Sequence, residues 1–330
     1  MPLTKRDDWA KKSKIRLFAH NHMIREQLKL DPHDRNPGTG VGGRLLDILK
    51  KNGHQTSGNT VDGLSLLNVG DSYYSNPAHT ITSGGIEKVD KFSSLPRHEM
   101  LDYVKQLNGE AKAGNSMLGE TWSHSLSKTL FEYETALSID RAIKNGEFNM
   151  DGYQASGDTA LQFKAAAQYM KSRHLRKVNR EVYFVSQGGY DLHGSNPSIP
   201  LPDLFTEANN ALAGFIEELK RQGTWDDTVI LMASDFGRSV APNSNGGSDH
   251  AWGGKSRYFW RSCFLLPCFL IPNLPFPFFI LGNYFMLGGG MKGGKIMGKY
   301  PEHLSEKSDY WIKRGRMVRL SKTLFISYRC

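Results

Sequence analysis

Two short runs of β-branched and aromatic residues, 182–186 and 228–233, flank one amphipathic helix pattern, and this arrangement most constrains the fold. Both runs have the apolar, β-rich composition of strands buried on both faces. Between them, apolar residues recur at spacings of three and four, at Leu204, Ala208, Leu212, Phe215, Ile216 and Leu219. Pro200 and Pro202 precede this helix, and Gly223 can end it in the left-handed conformation. The pattern predicts a βαβ unit with parallel strands.

Acidic and histidine residues follow each predicted strand. Asp191 and His193 follow the first strand, Asp235 follows the second, and Asp249 and His250 come shortly afterwards. Because the strands of a crossover unit end at the same edge of a sheet, we expect Asp191 and Asp235 to lie near each other. Residues two apart in extended backbone point the same way, so Asp191 and His193 can address one centre.

The residue types in these clusters favour a divalent metal. A single Asp-x-His after a strand is commonly a turn stabiliser, because aspartate readily accepts hydrogen bonds from backbone amides. Three clusters on one predicted edge instead indicate a shared site. Carboxylate oxygens and imidazole nitrogens, without thiolates, suit zinc or manganese better than a soft metal or an iron-sulfur cluster.

The clusters belong to a longer series of motifs, at residues 188–193, 234–238, 247–254 and 288–298. In this order they resemble a widespread family, domain of unknown function 1501, of the alkaline-phosphatase-like, sulfatase-type superfamily. The strong resemblance covers residues 181–254 and 283 to about 318, and a weaker one covers residues 20–44. About half of the chain therefore carries the resemblance.

The resemblance implies an α/β fold, with a mostly parallel sheet flanked by helices around an alkaline-phosphatase-like core. It implies a metal-dependent hydrolase of phosphate or sulfate esters, a zinc or manganese cofactor, and five candidate ligands: Asp191, His193, Asp235, Asp249 and His250. Asp249 either binds the metal or orients His250. The superfamily's central first strand has no counterpart in the polar residues 1–14. We therefore expect the core to be incomplete at its start, and likewise at its end.

Four further residues have open roles. Arg238 either contacts a tetrahedral anion or forms a salt bridge to a neighbouring carboxylate. Thr39 precedes a predicted helix and is a weak candidate nucleophile, although a helix cap is the simpler interpretation. His20 and His22 are metal-ligand types, but closely spaced histidines on a polar segment are usually solvated.

The remaining predicted elements concern the core. We expect Leu45, Leu46, Ile48 and Leu49 to form the buried side of the helix after Thr39, and an apolar run at 64–69 to form a strand. Two further helices are predicted, one with an apolar stripe over 126–143 that stops at Gly146, and one from Ala160 to about Arg176. The basic residues that follow favour an interaction with the carbonyl end of that helix over one with nucleic acid.

One stretch of the sequence, residues 255–282, interrupts the motif series. It contributes three basic residues and no acidic residue, and so does the tail at 319–330, so these segments account for six of the nine net positive charges. They also contain all three cysteines, at positions 263, 268 and 330, which excludes a disulfide framework in the rest of the chain. Four prolines between 267 and 277 disfavour a membrane helix. We interpret 255–282 as a translated intron, which implies a eukaryotic source.

The sequence leaves two function classes open. One is the metallohydrolase, whose partner is a small-molecule ester rather than nucleic acid or a membrane. The other is a truncated pseudoenzyme that retains a metal-binding α/β scaffold without catalysis, which the unmatched first strand favours. No apolar signal segment begins at Met1. The chain as written is therefore expected in the cytosol, unless an incomplete start has lost a secretion signal.

Overall fold

A computed structural model describes residues 19–29, 38–61, 63, 65–71, 79–82, 85–86, 102–103, 106, 117–194, 200–238, 242–251 and 285–294. The chain divides into two compact units. The sheet unit is Pro37–Ser186, and the motif unit is Met1–Asn36 with Gln187–Cys330. The described elements make a mixed α/β protein with a small parallel sheet flanked by helices, which confirms the coarse fold class.

Several sequence predictions fall outside the described residues. They concern the stretch 255–282, the tail 319–330, and the motif residues 252–254 and 295–298. The intron hypothesis and the prediction of one interrupted domain therefore stay predictions.

The sheet unit contains a four-stranded sheet. Its strands are β1 (Thr56–Thr60), β2 (His79–Thr82), β3 (Gly85–Ile86) and β4 (Arg180–Phe184), in the order β3-β2-β1-β4. Strand β1 is parallel to both of its neighbours, and β2 is antiparallel to β3. The register places Thr56 opposite Arg180 and Thr60 opposite Phe184.

The central strand β1 is polar yet buried along its whole length. Its polar side chains find internal partners: Ser57 Oγ donates to Asn59 Oδ1 at 3.1 Å, and Asn59 Nδ2 donates to Glu181 Oε1 at 3.3 Å. Asn68 Nδ2 donates to the Asn59 carbonyl at 2.7 Å. The strand was predicted instead at residues 64–69, where the structure has a 3₁₀ helix at Leu66–Asn68. The prediction was wrong because it relied on apolar residues to identify a buried strand. The buried strand is instead the polar β1, whose side chains are satisfied by internal hydrogen bonds.

Three helices belong to the sheet unit: α2 (Val41–Lys51), α3 (Met117–Lys144) and α4 (Asp158–Lys171). The face that α2 buries is Gly42, Gly43, Leu46 and Asp47. A Cβ on Gly43 would overlap the backbone of Val69, so the glycines allow close packing. The predicted burial of Leu45 and Ile48 is wrong: both are about half exposed.

The other helix predictions hold in outline. Helix α3 ends just before Gly146, which adopts a φ of 81°. Helix α4 begins after Gly157 and ends earlier than predicted, at Lys171. Basic side chains beyond its end bind carbonyl groups of its last turn, as Arg173 does with Met170 and Arg176 with Tyr169. This is the helix-end interaction that we predicted.

The motif unit contains helices α1 (His20–Lys29) and α5 (Pro200–Arg221). Helix α5 is the predicted amphipathic helix: it buries Leu201, Ala211, Phe215, Ile216 and Leu219, and Gly223 beyond it has a φ of 66°. Each fully buried aliphatic or aromatic side chain of this kind stabilises a fold by about 1.5–3 kcal/mol. No helix among the described residues has the length and apolarity that crossing a membrane requires.

Four strands of the motif unit form two separate pairs. Strand β5 (Val229–Met232) is antiparallel to β8 (Phe285–Gly288), and β6 (Gly237–Arg238) is antiparallel to β7 (His250–Ala251). The predicted βαβ unit placed β4 and β5 in one sheet; among the described residues they belong to different sheets, so that prediction is wrong. Val229 and Leu231 are about half exposed, so β5 is not buried on both faces. A helix of suitable length permits a crossover, but pairing depends on partners that lie far away in the sequence.

Candidate metal centre

Four short segments of the motif unit bring the candidate residues together. His20 is the first residue of α1, and Asp191 and His193 lie in the loop that precedes α5. The β6–β7 ladder pairs Arg238 directly with His250. Each segment is short, so the site depends on contacts between segments rather than on one rigid element.

Asp191 lies at the centre of the cluster. Its Oδ1 atom is 2.9 Å from His250 Nε2 and 3.0 Å from His193 Nε2, and it accepts a hydrogen bond from Arg238 Nη1. Its Oδ2 atom is 3.2 Å from His20 Nε2. One carboxylate thus contacts three imidazoles and a guanidinium.

His20 links two of the predicted carboxylates. Its Nδ1 atom pairs with Asp235 Oδ2, while its Nε2 atom faces Asp191. The other oxygen of Asp235 accepts a hydrogen bond from the Phe236 amide at 3.0 Å. The His20 ring also packs on Phe236, with the ring centroids 4.6 Å apart. These contacts fix both ends of the imidazole.

His193 has a similar arrangement. Its Nε2 atom lies 2.7 Å from His250 Nε2, and its Nδ1 atom is 3.5 Å from Asp249 Oδ1. Asn243 Nδ2 holds the same Asp249 oxygen at 3.0 Å and the His193 carbonyl at 2.8 Å. Asn243 therefore positions both His193 and the carboxylate that faces it.

Arg238 is buried and fully engaged. Besides the pairing with Asp191, its Nε atom donates to Ser248 Oγ at 3.1 Å, and Nη2 donates to the Ser248 carbonyl. The salt-bridge alternative for Arg238 is therefore the one that the structure contains. Its predicted role as an anion contact stays a prediction.

A close backbone approach joins the two loops that carry His193 and His250. The Ser248 amide donates to the Leu192 carbonyl at 2.9 Å. A Cβ on Gly247 would overlap the carbonyl oxygens of His193 and Leu192, so only glycine fits this position without a shift of the backbone. Gly247 thus determines the spacing between the loops.

The electrostatics of the cluster favour an ionised Asp191 and a neutral His193. Partial burial raises the pKa of Asp191, but hydrogen bonds from His250 and Arg238 more than offset burial and hold the pKa well below its usual range. Burial and the Arg238 charge lower the pKa of His193. A neutral imidazole and an ionised carboxylate are the forms that bind metal.

The donor set fits a divalent metal. His20, Asp191 and His250 each offer one ligand atom within 4.8 Å of the others. His20 Nε2 is shielded from solvent and makes no hydrogen bond, and two Nε2 atoms face each other at 2.7 Å. Ligand atoms about 2.1 Å from one ion lie about 3.0–3.4 Å apart. The Asp191 oxygens lie at similar distances, 2.9, 3.0 and 3.2 Å, from the Nε2 atoms of His250, His193 and His20. A cation among these atoms would satisfy lone pairs that otherwise oppose one another.

Most predicted site residues come together, although for partly different reasons than expected. Asp191 and Asp235 both contact His20, so their predicted proximity is confirmed. Residues 190–193 are not extended, because hydrogen bonds join residues two apart. Asp191 and His193 still meet, through side chains that turn toward each other.

One position, His20, differs from expectation. His20 joins the cluster, although its polar neighbours favoured solvation; its contacts with Asp191 and Asp235 have no local signal in the sequence. His22 is exposed, as the solvated interpretation predicted. Thr39 belongs to the sheet unit, where it precedes the N-cap residue Gly40 and its hydroxyl accepts from Arg44 Nη1 at 3.2 Å. Its catalytic role stays a prediction.

Comparison with known families gives one match. The model of the family described as a protein of unknown function (DUF1501) matches residues 81–256, which is more than half of the chain. The matched segment includes every predicted metal ligand and excludes His20. Searches among curated proteins and among solved structures returned no match. The match includes the motifs at 188–193, 234–238 and 247–254, and the chain belongs to the DUF1501 family.

Proposed function

We propose that this protein is a metal-dependent hydrolase of phosphate or sulfate esters, with an alkaline-phosphatase-like core. The observation that carries the proposal is the convergence of imidazole nitrogens from three segments on Asp191. The resemblance of the ordered motifs to the sulfatase-type superfamily supports the substrate class. The proposed cofactor is zinc or manganese.

The five predicted ligands have different positions in the proposed metal site. Asp191, His193 and His250 offer the converging atoms, and Asp235 and Asp249 complete the predicted set. When bound, the metal supplies Lewis-acid polarisation of the ester oxygen and lowers the pKa of bound water. Asp191 stays ionised because Arg238 donates a hydrogen bond to it.

The exposure of the cluster leaves room for a substrate. The side chains of His20, His193 and Asp191 are 41%, 43% and 45% exposed, respectively. A small ester can therefore reach the centre from solvent. The attacking oxygen would come from water, and Thr39 stays a weak alternative.

A second candidate function is a metal-binding scaffold without catalysis. The observation in its favour is the engagement of Arg238, whose hydrogen bonds go to Asp191 and Ser248. A buried guanidinium with these partners does not contact an anionic ester. This candidate predicts metal binding without turnover.

Hydrolysis of model esters tests the proposal. Protein stripped with a chelator and reconstituted with zinc or manganese is assayed with 4-nitrophenyl phosphate and 4-nitrophenyl sulfate, beside the variant Asp191→Ala. We expect metal-dependent turnover of at least one ester, and its loss in the variant. Stoichiometric metal without turnover would favour the scaffold instead.

A further inference from the structure

The two ring nitrogens of His20 and His193 have different surroundings. In each ring, Nδ1 faces a carboxylate outside the centre: Asp235 for His20, and Asp249 for His193 at 3.5 Å. In each ring, Nε2 faces the centre, where Asp191 lies. The rings thus share one orientation although they come from unrelated segments of the chain.

This orientation fixes where the lone pairs are. A neutral imidazole carries one N–H and one lone pair, and a carboxylate beside one nitrogen favours the N–H there. Asp191 also lies beside Nε2 of both rings, at 3.2 Å in His20 and 3.0 Å in His193. A cation bound between Asp191 and these two Nε2 atoms requires a lone pair at each Nε2, which places each N–H at Nδ1, beside Asp235 or Asp249. That lone pair in His20 then faces the anionic Asp191 Oδ2 at 3.2 Å, which explains why His20 Nε2 makes no hydrogen bond.

We infer that Asp235 and Asp249 do not bind the metal but orient His20 and His193, and that the ion is held by Asp191 with the Nε2 atoms of His20, His193 and His250. The inference rests on the proposed function and sharpens its ligand set. Carboxylates that accept the second N–H of a metal-bound histidine are common around metal sites, where they fix the tautomer and the ring orientation.

The contacts of the two carboxylates agree with orienting roles. Asp235 Oδ1 accepts the Phe236 amide at 3.0 Å, and Asp249 Oδ1 accepts Asn243 Nδ2 at 3.0 Å. Each carboxylate is thus held by its own loop while it faces a histidine. Asp191 instead faces four side chains through its two oxygens: His193 of its own loop, and His20, Arg238 and His250 of other segments.

The revised ligand set also favours one metal over the others. Three imidazole nitrogens with one carboxylate oxygen make a nitrogen-rich site, which suits zinc, whereas manganese and magnesium favour oxygen ligands. We therefore expect zinc to bind more tightly than manganese, in agreement with the general order of divalent-metal affinities.

Zinc titration of the full chain separates orienting from ligating residues. Chelator-stripped wild type, His20→Ala, Asp235→Asn and Asp249→Asn are titrated with zinc against a chromophoric competitor. Asp203→Asn serves as a control, because Asp203 is an exposed carboxylate of the same unit. Asparagine keeps the carboxylate's shape and one acceptor oxygen, so loop contacts survive.

The expected order of affinities is specific. Asp235→Asn and Asp249→Asn should each bind one zinc about 10–100-fold more weakly than wild type, as loss of an outer carboxylate does elsewhere. His20→Ala should lose more than about 100-fold, and Asp203→Asn should match wild type. Cobalt-substituted Asp235→Asn should keep the visible absorption intensity of wild type, because the number of bound nitrogens is unchanged. Circular dichroism before metal addition checks that each variant is folded.

Three results would overturn the inference. Asp235→Asn or Asp249→Asn could lose zinc as completely as His20→Ala, which would make that aspartate a ligand. Either could stay within about fivefold of wild type, which would remove the orienting role. Wild type that binds neither zinc nor manganese would overturn the proposed function as well, so the two failures are distinguishable.

Discussion

Two charged clusters in this protein each contain an arginine paired with a carboxylate, but they differ in their exposure to solvent. In the sheet unit, Arg176 and Glu181 form an ion pair whose side chains are 3% and 11% exposed. In the motif unit, Arg238 pairs with an Asp191 that is 45% exposed. The first cluster is closed to solvent, and the second is open.

Both members of the sheet-unit ion pair make further hydrogen bonds. Glu181 Oε1 accepts from Arg176, from Tyr183 at 3.1 Å and from Asn59 at 3.3 Å. Arg176 also donates to the Tyr169 carbonyl at 2.8 Å, and its guanidinium lies 4.0 Å from the centroid of the Tyr169 ring. Donors and acceptors match here, whereas three imidazoles and a guanidinium surround the single, partly exposed carboxylate of Asp191. The closed cluster stabilises the fold, and the proposed role of the open cluster is to bind a metal.

Replacement of Glu181 by alanine should produce the largest loss of stability. It leaves the Arg176 guanidinium buried without its carboxylate, which typically costs about 3–5 kcal/mol in the free energy of unfolding. Urea unfolding of the variant measures this loss, and Glu147→Ala, an exposed glutamate of the same unit, should stay within about 0.5 kcal/mol of wild type. A comparable result for both variants would remove the contrast between the clusters.

Gly247→Ala should perturb the open cluster through its backbone. The added methyl group overlaps the carbonyl oxygens of His193 and Leu192, and overpacking of this kind costs about 1–3 kcal/mol. We also expect weaker metal binding, because the His193 loop must move. Gly188→Ala is the matched control, since an added Cβ there meets nothing within 4 Å. Equal zinc affinities in the two variants would contradict the spacing role of Gly247.

Deletion of residues 255–282 tests whether the interrupting stretch contributes to the motif unit. Strands β7 and β8 lie on either side of it in the chain, and a shorter connection lowers the entropy cost of closing the loop by about 1–2 kcal/mol. The deleted protein should therefore be as stable as wild type or more so, and should keep its metal affinity. A loss of both properties would show that the stretch belongs to the fold.

Alkaline pH should weaken the closed cluster. Burial, together with Glu181, raises the pKa of Tyr183 well above its usual value near 10. Above about pH 10 the unfolded chain loses this proton while the native protein keeps it, so stability falls by up to about 1.4 kcal/mol per pH unit. Below pH 10 both states are protonated and the effect vanishes.

Urea unfolding between pH 8 and 11 measures this dependence. Tyr183→Phe should lower the stability at pH 8 by about 1 kcal/mol and reduce the slope above pH 10. Tyr103→Phe, which changes an exposed tyrosine of the same unit, should keep the slope of wild type. Burial also raises the pKa of Tyr190 to about 12, so part of the slope should persist in every variant. An unchanged slope in Tyr183→Phe would contradict the account of the closed cluster.

The sequence predicted the helices and the site residues better than the strand pairing. Helix α5 followed from its periodicity because one amphipathic face suffices to define a helix. Strand β1 was missed because its polar residues are stabilised by Asn68 and Glu181, which are remote in sequence. The pairing of β5 with β8 likewise depends on a segment beyond the interrupting stretch.

Residue chemistry was a better guide to the site than the predicted topology. Asp191, His193, Asp235, Asp249 and His250 come together although the βαβ pairing that motivated them is wrong. Their residue types carried the information, because carboxylates and histidines in several short motifs converge most often where chemistry requires them. His20 escaped prediction because its role depends on contacts with Asp191 and Asp235 that no local pattern reveals.

Metal content is the most direct test of the central claim that the open cluster is a metal centre. Elemental mass spectrometry of purified wild type and of Asp191→Ala compares the two proteins at equal folded concentration. We predict about one equivalent of zinc or manganese per wild-type chain and its loss in the variant. Folded wild-type protein that takes up no metal when zinc or manganese is supplied, or a variant that retains the metal, would contradict the account.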